Sequence, residues 1–265
     1  MEHRADWTIE QNWENYTPQE HQTWKFLFSR QSEILKNRAV PEFLQGIKSL
    51  GVAEDGIPDF RRLNDVLMKA TGWQIVAVPS LIPDDVFFEH MANRRFVATC
   101  FIRRPDQLDY LQEPDVFHDV FGHVPLLVNP IFANYMEAYG KAGIKALKAG
   151  HLKKISRLYW YTVEFGLIQT KEGLRIYGSG IVSSKGESIY CLEDPMPRRI
   201  EFDLKRILCT DYFIDKYQET YFVIKSFDQL FHETNQDLLS VYDEVSHLPE
   251  LSATTLLPSD HLIAA

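Results

Sequence analysis

A mainly α-helical fold with a few short strands, of the α+β kind, is what this sequence predicts, and three observations carry the prediction. Apolar residues recur at helical spacing behind capping signals in the N-terminal third; only short runs rich in β-branched and aromatic residues interrupt them; and no repeat, low-complexity tract or Gly/Ser/Pro-rich linker divides the chain. With 265 residues, 45% of them hydrophobic and 13% aromatic, the chain can bury a substantial core as one domain spanning 1–265.

Residues 1–16 are polar apart from scattered aromatics and read as an arm laid against the domain. Thr17-Pro18-Gln19-Glu20 then combines a capping box with proline at the first helical position, and Trp24, Leu27, Phe28, Ile34 and Leu35 continue at helical spacing. A second helix is expected from Pro41 to Leu50, stopped by Gly51, and a third through Phe60, Leu63, Val66 and Leu67 before Gly72. Strands are expected at Trp73–Val78 and Arg95–Ile102, with a short helix from Pro83 to Met91 between them. Further helices are expected over Pro114–Gly122, about 130–149 and 151–169. A strand at Arg175–Tyr177 should enter a glycine-rich turn, and Ser226 should cap a last long helix running past Val241. The tail, 248–265, carries Pro249 and Pro258 and no sustained heptads, so it shows no coiled-coil assembly segment.

The net charge of −9, from 28 basic and 37 acidic residues without a basic block, argues against nucleic-acid binding. No segment reaches the roughly 18 apolar residues of a membrane span, and the N-terminus lacks a signal-peptide core, so a cytoplasmic protein without a membrane partner is expected. Cys100, Cys191 and Cys209 are widely spaced and should be reduced thiols.

One stretch has no purely structural excuse. Between Glu113 and Leu127 two histidines, His118 and His123, sit beside Asp115 and Asp119 in an apolar run. Five residues apart, they lie roughly 140° apart on an ideal α-helix. Gly122 and Pro125 suggest that the helix ends there and turns His123 back towards His118, which would make a metal pair. Each histidine could instead donate one hydrogen bond in the core. The third ligand candidate is Glu164, a lone carboxylate in Tyr159-Trp160-Tyr161-Thr162-Val163-Glu164-Phe165, which must be neutral, paired or bound to a cation. Two histidines and a carboxylate form the facial triad of non-haem iron(II) sites, leaving adjacent positions open.

Three long motifs in order then carry a resemblance. Glu-Pro-Asp-x-x-His-Asp-x-x-Gly-His-x-Pro-Leu around the histidines, Tyr-Trp-x-Thr-Val-Glu-Phe-Gly-Leu around Glu164, and Tyr-Gly-x-Gly-Ile-x-Ser-Ser-x-Gly-Glu from Tyr177 to Glu187 resemble the pterin-dependent aromatic amino acid hydroxylases. The match runs from about Trp73 to Phe222, and the length resembles the single-domain bacterial members, without regulatory or tetramerisation segments. The resemblance implies the family's catalytic-domain fold, iron(II) on His118, His123 and Glu164, and a tetrahydropterin such as tetrahydrobiopterin. It implies hydroxylation of L-phenylalanine to L-tyrosine with dioxygen by a monomer or small homo-oligomer.

It further implies that Ser183 hydrogen-bonds an iron-ligating histidine beside the substrate, with Tyr159 also behind the metal site, and that Arg103, held by Asp115, clamps the substrate carboxylate bidentately. Pro114, Trp160 and Phe165 would wall the substrate ring. Phe87 would stack on the pterin, with contacts from the stretch Ser80 to Asp84, including Ile82. Asp119 matches a glutamate of animal members, and its shorter side chain would need a bridging water to reach the pterin. Further departures lie in Ser80–Asp85 and at Leu111, where animal phenylalanine hydroxylases carry threonine. The alternatives are a tyrosine or tryptophan hydroxylase of the same family, a zinc hydrolase using the same ligands, and a non-catalytic metal-binding module.

Overall fold

The structure is a computed structural model that describes residues 3–109 and 113–264. Leu111 therefore lies outside the described residues. Three N-terminal helices form as their sequence signals require: α1 (Pro18–Ile34), α2 (Pro41–Leu50) and α3 (Phe60–Ala70). Thr17 and Glu20 close the reciprocal capping box of α1, and Gly51 takes φ 65° where α2 ends, a conformation that favours glycine. The arm is tied down by main-chain bonding of Ile9 to Ala77 and by Trp13 and Gln11 donating to the carbonyls of Ile57 and Pro58.

Next come β1 (Gln74–Val78), α4 (Asp84–Ala92) and β2 (Arg95–Thr99), with β1 and β2 paired in parallel. After the site segment follow α5 (Pro130–Lys148) and α6 (Leu152–Tyr159), then β3 (Leu167–Thr170), β4 (Gly173–Ile176), α7 (Ser179–Val182) and α8 (Glu187–Glu193). The chain closes with β5 (Arg198–Glu201), α9 (Leu204–Leu208), β6 (Thr220–Ile224), α10 (Phe227–Thr234) and α11 (Leu238–Val245). A second sheet has the order β4-β3-β6-β5, with only the β3–β4 pair antiparallel. Its β5 edge is covered by the tail, where Glu201 and Ile263 exchange backbone bonds with His261 and Arg199. Covering an edge in this way removes a template for aggregation.

Four expectations need correcting. The segment expected as a helix over Pro114–Gly122 is instead a π-helix, Phe117–His123, which passes into a 3-10 turn, Val124–Val128, rather than turning back. The helix expected to 169 leaves α geometry at Trp160, becomes a second π segment, Trp160–Glu164, and gives way to β3 at Leu167. Gly166 makes that exit possible, because a Cβ there would overlap the Tyr177 ring. The glycine-rich stretch after β4 forms the one-turn helix α7. The last long helix is two, α10 capped by Ser226 and α11 capped by Asp237.

The first π segment lies in the centre of the core. Phe117 meets Trp24 of α1 edge-on at 5.3 Å, and Phe121 meets Phe43 of α2 at 5.7 Å. Burying such rings contributes about 1.5–3 kcal/mol each, enough to hold a segment whose hydrogen-bond pattern is intrinsically rare. Beneath α6, the fully buried Arg157 donates to the Leu208 carbonyl and pairs with Asp211 and Glu250, fixing the helix that leads into the second π segment. The three cysteines are free thiols, Cys191 and Cys209 buried and Cys100 half-buried.

Candidate metal centre

The π-helix resolves the spacing of the histidines. In i→i+5 bonding, residues five apart stack on one face, as residues four apart do on an α-helix. His118 and His123 accordingly face each other with ring centroids 4.9 Å apart and Nε2 atoms 3.2 Å apart. Glu164, at the end of the second π segment, places Oε1 at 3.1 Å from His123 Nε2 and Oε2 at 3.7 Å from His118 Nε2. One ligand atom from each of the three lies within 4.8 Å of the others.

The neighbouring bonds fix which nitrogen faces the centre. Ser183 Oγ is 2.8 Å from the Ser179 carbonyl, which can only accept, and 2.9 Å from His118 Nδ1. The one hydroxyl hydrogen therefore goes to the carbonyl, so Nδ1–H of His118 donates to Oγ and Nε2 presents a lone pair. Burial, helped by His123 and opposed by Glu164, lowers the His118 pKa to about 4, so the ring is neutral at pH 7. Burial acts to raise Glu164, but the neighbouring His123, which also hydrogen-bonds it, together with His118 and the Ser179 hydroxyl, outweighs it and holds the carboxyl at about 2. Two imidazole nitrogens and a carboxylate, nearly buried and converging, are electron-rich atoms that a cation reconciles; the donor set fits a divalent metal.

Arg103 lies beside this centre, buried to 8% exposure, whereas its neighbour Arg104 is 70% exposed in its side chain. Asp115 accepts from Arg103 Nε at 2.8 Å, from Nη2 at 2.8 Å and from the backbone N–H at 2.9 Å, and its other bond receives the His118 N–H at 3.0 Å. Burial opposes ionisation of Asp115, yet the guanidinium overcomes it and keeps the carboxyl below its ordinary range. With one edge of the fork occupied and Nη1 making only a long contact of 3.5 Å to the Leu108 carbonyl, the Nη1 edge remains able to receive a second carboxylate.

Trp160 and Phe165 pack with centroids 5.0 Å apart, and Tyr212 stacks on Trp160 at 4.4 Å. The Pro114 carbonyl accepts from Thr99 Oγ1 at 3.2 Å. Tyr159 lies over His123 with centroids 6.3 Å apart and meets Phe87 of α4 edge-on at 5.8 Å, so it joins His123 to α4. Asp119 spends Oδ2 on the Thr99 N–H at 2.7 Å and hydroxyl at 2.9 Å, and burial pushes its carboxyl up to about 7 against those bonds. Ile82 is half-buried and Asp84 exposed where α4 begins.

Sequence reasoning missed Thr99, Ser179 and Tyr212. Only Ser179 carried a signal, its place between two glycines of the third motif; Thr99 and Tyr212 are brought in by β2 and by the loop before β6.

Two π-helical segments delivering two histidines and a carboxylate beside an anchored arginine define a mononuclear non-haem metal centre of the facial-triad class. The family model for biopterin-dependent aromatic amino acid hydroxylases matches residues 7–243, and the chain belongs to that family. It is 58% identical over 262 residues to a phenylalanine-4-hydroxylase of Ralstonia nicotianae, covering 99% of this chain and 84% of that one. It superposes on the cobalt-bound phenylalanine hydroxylase of Chromobacterium violaceum with a TM-score of 0.97 at 56% identity, covering 99% of this chain and 95% of that one. The iron- and phenylalanine-bound structure from the same organism gives 0.95 at 54%, covering 99% and 96%. Among the described residues no helix is long and apolar enough to cross a membrane.

Proposed function

We propose that the protein is a phenylalanine 4-monooxygenase, converting L-phenylalanine, dioxygen and a tetrahydropterin into L-tyrosine and a 4a-hydroxypterin, with iron(II) held by His118, His123 and Glu164. The observation that carries this reading is the convergence of those three side chains beside the Asp115-anchored guanidinium of Arg103. Bound iron and pterin together supply dioxygen activation and the two electrons that hydroxylation needs.

The chain's own residues supply placement. Arg103 receives the amino acid carboxylate on its Nη1 edge, and Asp115 keeps the fork from rotating. The aromatic pair Trp160 and Phe165, with Pro114, takes the substrate ring and keeps water from it. Ser183 holds the proton on His118 Nδ1, which keeps Nε2 available to the metal. Phe87, with Ile82 and Asp84 ahead of it in the chain, offers the pterin a stacking face, and Asp119, tied to Thr99, contributes through water. The similarity to bacterial phenylalanine hydroxylases supports phenylalanine over tyrosine or tryptophan. We assign all 265 residues to one catalytic domain, acting in the cytoplasm on small molecules as a monomer or small homo-oligomer.

The test is an assay of phenylalanine, tyrosine and tryptophan with iron(II) and tetrahydropterin, run beside His118→Ala and His123→Ala. Pterin-dependent tyrosine formation is expected, with loss of stoichiometric iron in both variants while their circular dichroism is retained. A fully active, iron-replete variant would sink the ligand assignment, and hydrolytic activity with zinc instead of hydroxylation would sink the function.

A further inference from the structure

One small side chain touches both arms of the centre. Ser179 is 2% exposed at the start of α7, and its hydroxyl lies 2.9 Å from the Val163 carbonyl and 3.1 Å from Glu164 Oε2. Both neighbours can only accept, so Ser179 shares its single hydroxyl hydrogen between the main chain at the root of the glutamate and the carboxylate at its tip. Its own carbonyl accepts the Ser183 hydroxyl at 2.8 Å, the bond that directs the His118 Nδ1–H.

The surroundings are shaped to bring this residue in. A Cβ at Gly180 would lie 3.1 Å from Glu164 Oε2, and one at Gly178 would overlap the Glu164 carbonyl. A Cβ at Gly122, next to His123, would lie 3.0 Å from the Ser179 carbonyl. The glycines clear space on both sides, and the side chain between them is the one that can donate to the carboxylate. A plain core position would need no hydroxyl there, and a buried hydroxyl without acceptors would be costly.

We propose that Ser179 is a positioning residue for the metal centre: its hydroxyl orients Glu164 while its carbonyl, through Ser183, orients His118, so that the carboxylate and histidine arms are set by one residue. The inference rests on His118 and Glu164 being ligands, as proposed above. Groups that orient metal ligands contribute on the order of 10–100-fold to metal affinity.

The test uses the full chain stripped of metal and titrated with cobalt(II), followed by equilibrium dialysis and by visible absorption, for wild type, Ser179→Ala, Ser179→Cys and Glu164→Gln. Ser179→Ala is expected to bind cobalt roughly 10-fold more weakly with a displaced visible spectrum, while the metal-free thermal midpoint stays close to wild type. Ser179→Cys, with its weaker donor, should fall between the two. Wild-type affinity and a superimposable spectrum in both serine variants, with binding lost in Glu164→Gln, would overturn the role of Ser179 alone. Wild-type binding by Glu164→Gln would overturn the ligand assignment beneath it.

Discussion

The two halves of the site are built to different standards. On the proposed metal and amino acid side the charged groups and one histidine are held in place, Arg103 by three bonds to Asp115, His118 by Asp115 and Ser183, Glu164 by Ser179. His123 Nδ1 and Trp160 Nε1 are buried there without a hydrogen-bond partner among the described residues. On the proposed pterin side Asp84 is exposed, Leu81 is 69% exposed, and Phe87 meets its neighbours Phe88 and Tyr159 only edge-on. Charged groups taken out of water are costly unless paired and must be oriented before the ligand arrives. A stacking face has no donor to aim, so it works from an exposed helix start.

Breaking the preorganised half should have the largest effect. Arg103→Ala leaves Asp115 buried without its partner, and such a loss typically costs about 3–5 kcal/mol, so the thermal midpoint should fall by several degrees. In the protein that remains folded, loss of two charge-assisted bonds should raise the apparent KM for phenylalanine on the order of 100-fold, with the KM for tetrahydropterin nearly unchanged. Steady-state kinetics in each substrate separate the two, and an unchanged value for phenylalanine would remove Arg103 from the proposed clamp.

The same contrast governs what the sequence could disclose. The N-terminal helices were legible because their ends are local: Thr17 and Glu20 lie three residues apart, and Gly51 needs only its own φ. The chemistry of His118 and His123 was legible from residue type, but their geometry was read through the α-helix, which forced a chain reversal that does not occur. The π pattern has no local signature here; packing of Phe117 and Phe121 against α1 and α2 holds it. Arg103 and Arg104 are adjacent and identical, yet one is buried and the other solvated, because Asp115 reaches only the first. The run Thr220–Ile224 could have been read as a buried strand, since Tyr-Phe-Val-Ile is continuous and apolar, and all five residues are buried.

The preorganised half also has a pH cost behind it. Glu187, at the end of the motif that carries Ser183, is buried at the start of α8 and accepts from Tyr221 Oη at 2.7 Å and from the Gln218 N–H at 3.0 Å. Burial pushes its carboxyl up to about 7 despite those bonds, against an ordinary value of 4.5. A raised carboxyl pKa favours the folded state while the proton is on. Its contribution is complete below about 4.5 and is lost as pH rises through about 7, about 3 kcal/mol in all. Urea unfolding of the metal-free protein should show stability from this group declining between about pH 4.5 and 7, and Glu187→Gln should flatten that slope. An identical slope in the variant would assign the decline to other groups.

The smallest expected effect sharpens the comparison most. Phe87→Ala removes a ring that makes no hydrogen bond and touches the metal side only through the edge of Tyr159, which itself lies over His123. An aromatic stacking partner is worth about 1 kcal/mol, so the apparent KM for tetrahydropterin should rise roughly five-fold. Cobalt affinity and the KM for phenylalanine should hold at wild-type values. If both substrates weaken together, Tyr159 transmits the change to His123, and the two halves form one mechanical unit in spite of their different construction.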